Sequence, residues 1–130
     1  VDTYGHLVGA RTIGYLGRLI GRFARPGDVV ARFGGDEFVL ILPATPTAAA
    51  AELAEKIREA IARAVRLEDE DVDISGITAS VGVATFPDHA QDAESLFRAA
   101  DGCMYAIKRL GKNAVAVAGD ASVAHVDKAE

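Results

Sequence analysis

One cysteine, one methionine and no tryptophan stand among the 130 residues, and proline appears only four times. The lone thiol, Cys103, has no partner for an internal disulfide, which excludes a disulfide-stapled scaffold and fits a reducing compartment. Positive charge is also short, with 14 Lys and Arg against 19 Asp and Glu, a net charge of −5. That balance excludes a surface built to coat a nucleic acid polymer, which needs clustered cations, but a few local cations still suffice for one nucleotide. No apolar run approaches the roughly 18 residues of a membrane span, and no charged-then-apolar leader opens the chain. The expectation is a cytoplasmic domain without membrane contact of its own. The chain starts at Val1, without Met and almost at once in helical pattern, which reads as an excerpt from a longer protein.

What is present is a globular composition: half of the residues are hydrophobic, enough for a single domain of this length to bury a core. Ile13, Leu16, Leu19, Ile20 and Phe23 recur at helical spacing. Gly9, Gly14, Gly17 and Gly21 interrupt the same stretch, each lowering helix propensity by up to about 1 kcal/mol relative to Ala. Packing must therefore hold this helix, and its small residues predict a close approach to another element. RPGD at 25–28 punctuates its end. VVARF and FVLILP read as two β-strands joined across GGDE as a hairpin. The Leu40 to Leu42 run lacks alternation, the pattern of a strand covered on both faces. A second helix is predicted over 46–65, followed by the acidic run RLEDED, read as a solvated loop. Residues 77–87 are strand-like, with Gly82 marking a bulge or a close backbone contact. A third helix starts at the N-cap candidate Asp92 and stops at Gly111. NAVAVA is a last strand, and the small, polar remainder from Gly119 reads as a flexible tail. Helix, hairpin, helix, strand, helix, strand predicts an α/β sandwich, a mixed sheet flanked by helices. The domain is expected over 1–118 and the tail over 119–130.

The hairpin tip is the chemically unusual stretch. Gly34 and Gly35 leave backbone N–H groups open to a ligand. The adjacent carboxylates of Asp36 and Glu37 are hard oxygen donors suited to Mg²⁺. Together they describe a metal–phosphate site, although a turn tip with solvated acids explains the same four residues taken alone.

The wider context favours the site. RFGGDEF resembles the signature that names the GGDEF family, the diguanylate cyclases. DTYGH at 2–6 is similar to the family's N-D-x-x-G-H segment, and RPGD to its R-x-x-D inhibitory site at the family's spacing. AEKIREAI and TASVGVATFP resemble its middle helix and following strand, and AADGCMYAIKRLGKN its A-D-x-x-M-Y-x-A-K-x-x-G-K/R-N ending. The resemblance runs from about Asp2 to Val117.

It implies a fold like the palm of nucleotide cyclases and polymerases, with the signature on the hairpin. It also implies condensation of two GTP into cyclic di-GMP and two pyrophosphates, with Mg²⁺ or Mn²⁺ as cofactor. Each protomer of a homodimer would hold one GTP, facing the other across a two-fold contact. Carried over by position, Gly34 and Gly35 would admit the nucleotide, and Asp36 and Glu37 would bind metal, Asp36 also helping to activate the 3′-OH. Arg32 would lie near the reacting phosphates or the partner's nucleotide. Lys108 and Lys112, read as one helical turn apart, would reach the terminal phosphates, where cations in a last helical turn would otherwise only complement the dipole. Arg25 and Asp28 would bind cyclic di-GMP in feedback inhibition, the Arg fork suiting phosphate or a guanine edge; alternatively RPGD is a plain turn. A second inhibitory Arg of some members falls at Lys56, a weaker bidentate donor. His6 is expected to cap or pack the first helix, His89 and His125 to be solvated, and Cys103 to be core.

Two departures from the family pattern stand out. The opening strand, whose D-x-D-x-F-K stretch supplies a further metal-binding Asp and phosphate-holding amides, is absent from the sequence, so the fragment alone is expected to be weak or inactive. The residues that usually read guanine fall at Val1 and Ala10, which cannot pair with its polar edge, and a site that loses such hydrogen bonds discriminates less. Three readings follow: a diguanylate cyclase, a relaxed cyclase that also takes ATP and makes cyclic GMP-AMP, or a non-catalytic module binding cyclic di-GMP or GTP. A purely structural dimerisation domain would have no reason to keep Asp36 and Glu37. An upstream sensor domain is expected in the parent protein.

Overall fold

The computed structural model describes residues 10–64, 76–119 and 123–126. Val1, the DTYGH segment with His6, and the acidic run at 66–71 lie outside the described residues, as does the side chain of Ala10. Helix α1 spans Ala10–Gly21. Its periodic residues Ile13, Leu16 and Ile20 are buried, Leu16 completely, each contributing on the order of 1.5–3 kcal/mol. Among the described glycines of this stretch, the expected close approach to another element occurs at one. A Cβ on Gly17 would stand 3.1 Å from the Phe38 ring, whereas one on Gly21 would meet nothing.

The chain then reverses through a turn in which the Asp28 N–H donates to the Arg25 carbonyl at 2.9 Å and Gly27 takes φ +93°. Strands β1 (Val29–Arg32) and β2 (Phe38–Ile41) form the expected hairpin, antiparallel with Val29 opposite Ile41 and Arg32 opposite Phe38. Leu40 packs on the core, but Ile41 is 57% exposed. The run at 40–42 is therefore not covered on both faces, because this two-stranded sheet buries only the face that meets the helices.

Helix α2 occupies Thr47–Arg63 with Pro46 as its N-cap residue, close to the predicted range. Helix α3 covers Ala93–Leu110 between the predicted stops. The Asp92 carboxylate accepts from the Ser95 N–H at 2.8 Å, the Ser95 hydroxyl accepts from the Asp92 N–H at 3.3 Å, and Gly111 at φ +123° ends the helix. Strand β3 keeps only Ser80–Val83 of the strand-like 77–87 stretch. It pairs in parallel with β4, Ala114–Val117, a connection that requires the α3 crossover. Beyond Gly119, where the sequence reads as tail, Val123–Val126 instead form β5, antiparallel to β4.

The layering follows from the period of two along the strands. Val83 and Val115 pack with Ala54 of α2, while Ala114 and Ala116, on the opposite face of β4, pack with Ile107 and Cys103 of α3. Helices thus cover both faces, as the α/β sandwich expectation requires. The single mixed sheet of that expectation is in two pieces, a two-stranded β1–β2 and a three-stranded β3–β4–β5. No described strand pairs with β2 and β3 between them. One apolar cluster nevertheless spans both pieces, joining Val30, Phe38 and Leu40 of the hairpin with Ile77, Ala79 and Val81 beneath α1 and α2. Among the described residues no helix is long and apolar enough to cross a membrane.

Candidate nucleotide site

The tip between β1 and β2 is closed by the Phe33 N–H, which donates to the Glu37 carbonyl at 2.8 Å. Arg32 folds back over it. Its Nη2 donates to the Gly35 carbonyl at 2.7 Å, and its Nε to the Gly34 and Gly35 carbonyls, both at 3.2 Å. With those carbonyls facing the guanidinium, the tip is held in one shape. Neither Gly34 nor Gly35 has the positive φ that only glycine adopts readily. A Cβ on Gly35 would meet nothing within 4 Å, and one on Gly34 would make only ordinary contact with Glu37. The turn does not need glycine here; what the two residues leave is open space beside two carboxylates.

Asp36 is exposed and Glu37 half-buried at the edge of that space. Among the described residues no group of three His, Cys, Asp or Glu side chains converges into a metal-binding cluster. Two adjacent carboxylates still suit Mg²⁺, which commonly takes one or two protein carboxylates and completes its shell with water and substrate phosphate.

The expected cations do not share one helical face. Lys108 lies in the last turn of α3, but Lys112 lies beyond it, in a left-handed corner with φ +68°, its N–H donating to the Ile107 carbonyl at 2.9 Å. Gly111 at C′ stops the helix, so helical spacing does not extend to Lys112. The hairpin meets the other end of α3, where the Phe33 and Phe97 rings lie 5.1 Å apart. Lys108 is eleven residues further along, roughly 16 Å of helix.

A second polar site forms at the 25–28 turn. The Arg25 guanidinium donates from Nε and Nη2 to the Asp28 carboxylate at 3.0 and 3.2 Å, and the Arg25 N–H adds a third bond at 2.8 Å. The Asp28 side chain is 2% exposed. The guanidinium, and next the Arg25 N–H, hold its carboxyl below the usual carboxylate range. Arg25, 50% exposed on its side chain, also reaches Thr45 Oγ1 at 2.5 Å. It lines a cleft of about 160 Å³ with Thr45, Glu52 and Lys56. The tertiary structure thus brings Lys56 to Arg25 across more than thirty residues of sequence. Thr45 and Glu52 were not singled out by the sequence; their only signal is that Glu52 and Lys56 share a helical face four residues apart.

Two of the remaining candidates, His89 and Cys103, are structural. His89 is half-buried rather than solvated, its Nδ1 accepting from the Thr85 N–H at 2.9 Å just beyond the end of β3, with its ring beside Gly119. Cys103 is partly buried, as expected, and burial pushes its thiol up, away from nucleophilic chemistry. His125 lies in β5.

This hairpin, with bare glycines and paired acids at its tip, matches the sequence profile described as "Diguanylate cyclase, GGDEF domain" over residues 1–114. The chain belongs to the GGDEF family. It is 40% identical over 120 residues to the diguanylate cyclase DgcM of Escherichia coli K12, covering 90% of this chain and 27% of that one. It is 36% identical over 116 residues to the probable diguanylate cyclase DgcT of the same organism, with 89% and 26% covered. The chain therefore spans about a quarter of these relatives' length. Among solved structures, the GGDEF domain of DgcB from Caulobacter crescentus in complex with c-di-GMP is similar at a TM-score of 0.74 and 34% identity, covering 90% of this chain and 68% of that one. The isolated GGDEF domain of PA1120 from Pseudomonas aeruginosa gives 0.75 and 34%, with 88% and 66% covered.

Proposed function

We propose that this GGDEF domain condenses two GTP into cyclic di-GMP with release of two pyrophosphates, as one half of a homodimer in the cytoplasm. The observation that carries the reading is the open space over Gly35, kept beside Asp36 and Glu37 in a turn whose backbone does not require glycine. Each 3′-OH attacks the α-phosphate of the GTP held by the partner protomer and loses its proton, and pyrophosphate departs from that phosphorus; two such events close the ring. Asp36 and Glu37 would hold Mg²⁺ or Mn²⁺, which supplies neutralisation of the phosphate charge and polarisation of the phosphoryl oxygens. Asp36 also accepts the 3′-OH proton. Arg32 orders the tip through the Gly34 and Gly35 carbonyls and keeps its charge near the reacting phosphates, while Lys108 and Lys112 take the terminal phosphates as point charges. Product binds at Arg25, Asp28 and Lys56, a reading supported by the cleft that Arg25 and Lys56 share.

The test is incubation of the protein extended to its natural upstream boundary with Mg²⁺ and equimolar GTP and ATP, with products identified by mass and Glu37→Gln as the control. Cyclic di-GMP is expected, with at least about a 100-fold loss in the variant if the metal contributes several kcal/mol. Cyclic GMP-AMP would mean that Val1 and Ala10 relax base choice. A folded dimer giving no cyclic product overturns the enzyme reading.

A further inference from the structure

Arg58 is buried in the middle of α2, its side chain only 4% exposed, among Ala54, Ile57 and Ile61. A guanidinium in that position needs partners on every side. Glu55, one turn earlier, supplies a fork, accepting from Nε at 2.9 Å and from Nη2 at 2.6 Å. The third arm leaves the helix altogether: Nη1 donates to Asn113 Oδ1 at 2.7 Å, across 55 residues of sequence.

Asn113 ends the corner that carries Lys112. Gly111, Lys112 and Asn113 have φ of +123°, +68° and +56°, three successive residues at positive φ, which glycine and asparagine tolerate but a lysine rarely adopts. Stopping α3 requires only the first of them, since a glycine at C′ suffices. Asn113 tolerates its positive φ, but Lys112 holds a backbone that a long side chain rarely adopts, and such a conformation persists where the surroundings over-determine it. Both ends of the corner are tied: the Lys112 N–H to the Ile107 carbonyl, and the Asn113 side chain to a buried, charge-neutralised Arg58.

We propose that Arg58 and Asn113 are positioning residues that aim Lys112 at the terminal phosphates of the bound nucleoside triphosphate. The inference rests on the reading of Lys112 given above. It explains why a cation is spent in the core of α2 and why a lysine stands in a left-handed backbone, neither of which the fold alone requires.

The experiment is steady-state kinetics on the protein extended to its natural upstream boundary with GTP, together with equilibrium binding of 3′-deoxy-GTP, which cannot condense, and of GMP. Asn113→Gly removes the acceptor while keeping a backbone suited to positive φ. It should raise KM for GTP about tenfold, the scale seen when an orienting partner is lost, with kcat within about twofold, because a phosphate contact made equally in the ground and transition states acts on KM. The preference for 3′-deoxy-GTP over GMP should fall by a similar factor. In a Lys112→Ala background Asn113→Gly should change neither quantity further, and Asn113→Asp, which restores an acceptor, should recover the wild-type KM. An unchanged KM in Asn113→Gly, or an equal rise with Lys112 already removed, overturns the proposal. So does a Lys112→Ala variant whose KM and phosphate preference are normal. If wild type makes no cyclic dinucleotide, the cyclase reading falls, and the positioning role is still decided by the binding ratio.

Discussion

Gly82 on β3 faces the backbone of α3 so closely that a Cβ there would overlap the Ala100 carbonyl oxygen and stand 2.8 Å from the Met104 nitrogen. Its neighbours Val81 and Val83 point the other way, into the clusters under α2. The strand therefore presents side chains to one helix and bare backbone to the other, and α3 seats directly on it. Gly82→Ala has no flexible group to push aside. It should destabilise the domain by about 3 kcal/mol, the upper range for overpacking, read as a lower urea midpoint at unchanged slope. A variant as stable as wild type would mean that α3 can lift from the sheet.

Gly35→Ala should separate the site from the fold. The added methyl meets no atom of the protein and demands no forbidden φ, so stability should stay within about 0.5 kcal/mol of wild type. Cyclic dinucleotide formation should nevertheless fall by at least about tenfold, because the methyl occupies the space into which phosphate comes, and a small misplacement of reacting groups is costly. Normal turnover would mean that the space over Gly35 is not where phosphate comes.

The Arg25–Asp28 pair makes a pH prediction with a definite sign. The Asp28 carboxyl is depressed in the folded chain, first by the Arg25 side chain and then by its N–H. A depressed acid stabilises the fold fully above its unfolded pKa, about 3.9, and that contribution is lost as pH falls through the lower folded value. The gap in urea midpoint between wild type and Asp28→Asn should be constant from pH 8 to about pH 5 and close progressively below about pH 4. A gap that instead widened on acidification would show that the ion pair does not govern this turn.

Several features were legible from local chemistry alone. Period 3.6 at Ile13, Leu16 and Ile20, the capping carboxylate of Asp92 and the stop at Gly111 each act within a few residues, so α1, α2, α3 and the hairpin were found nearly in place. The signature residues lie next to one another in the chain, and their chemistry was readable for the same reason. Where the reading departed from the structure, the deciding neighbour was remote. Ile41 is exposed on a sheet of two described strands, and nothing in an apolar run reports what covers it. His89 is held by Thr85 in a loop that only packing closes.

By itself the sequence determined the order of elements from α1 to β4, though not β5, the paired acids behind two glycines and the membership of a family that those motifs carry. It could do so because propensity, capping and adjacency are short-range. Only the tertiary structure decided that Lys56 joins Arg25 in one cleft, that Lys112 leaves the helix of Lys108, and that Arg58 is buried and bonded to Asn113. Each of these depends on a contact between segments far apart in the chain, and such contacts exist only after the core has brought α2, α3 and the turns together.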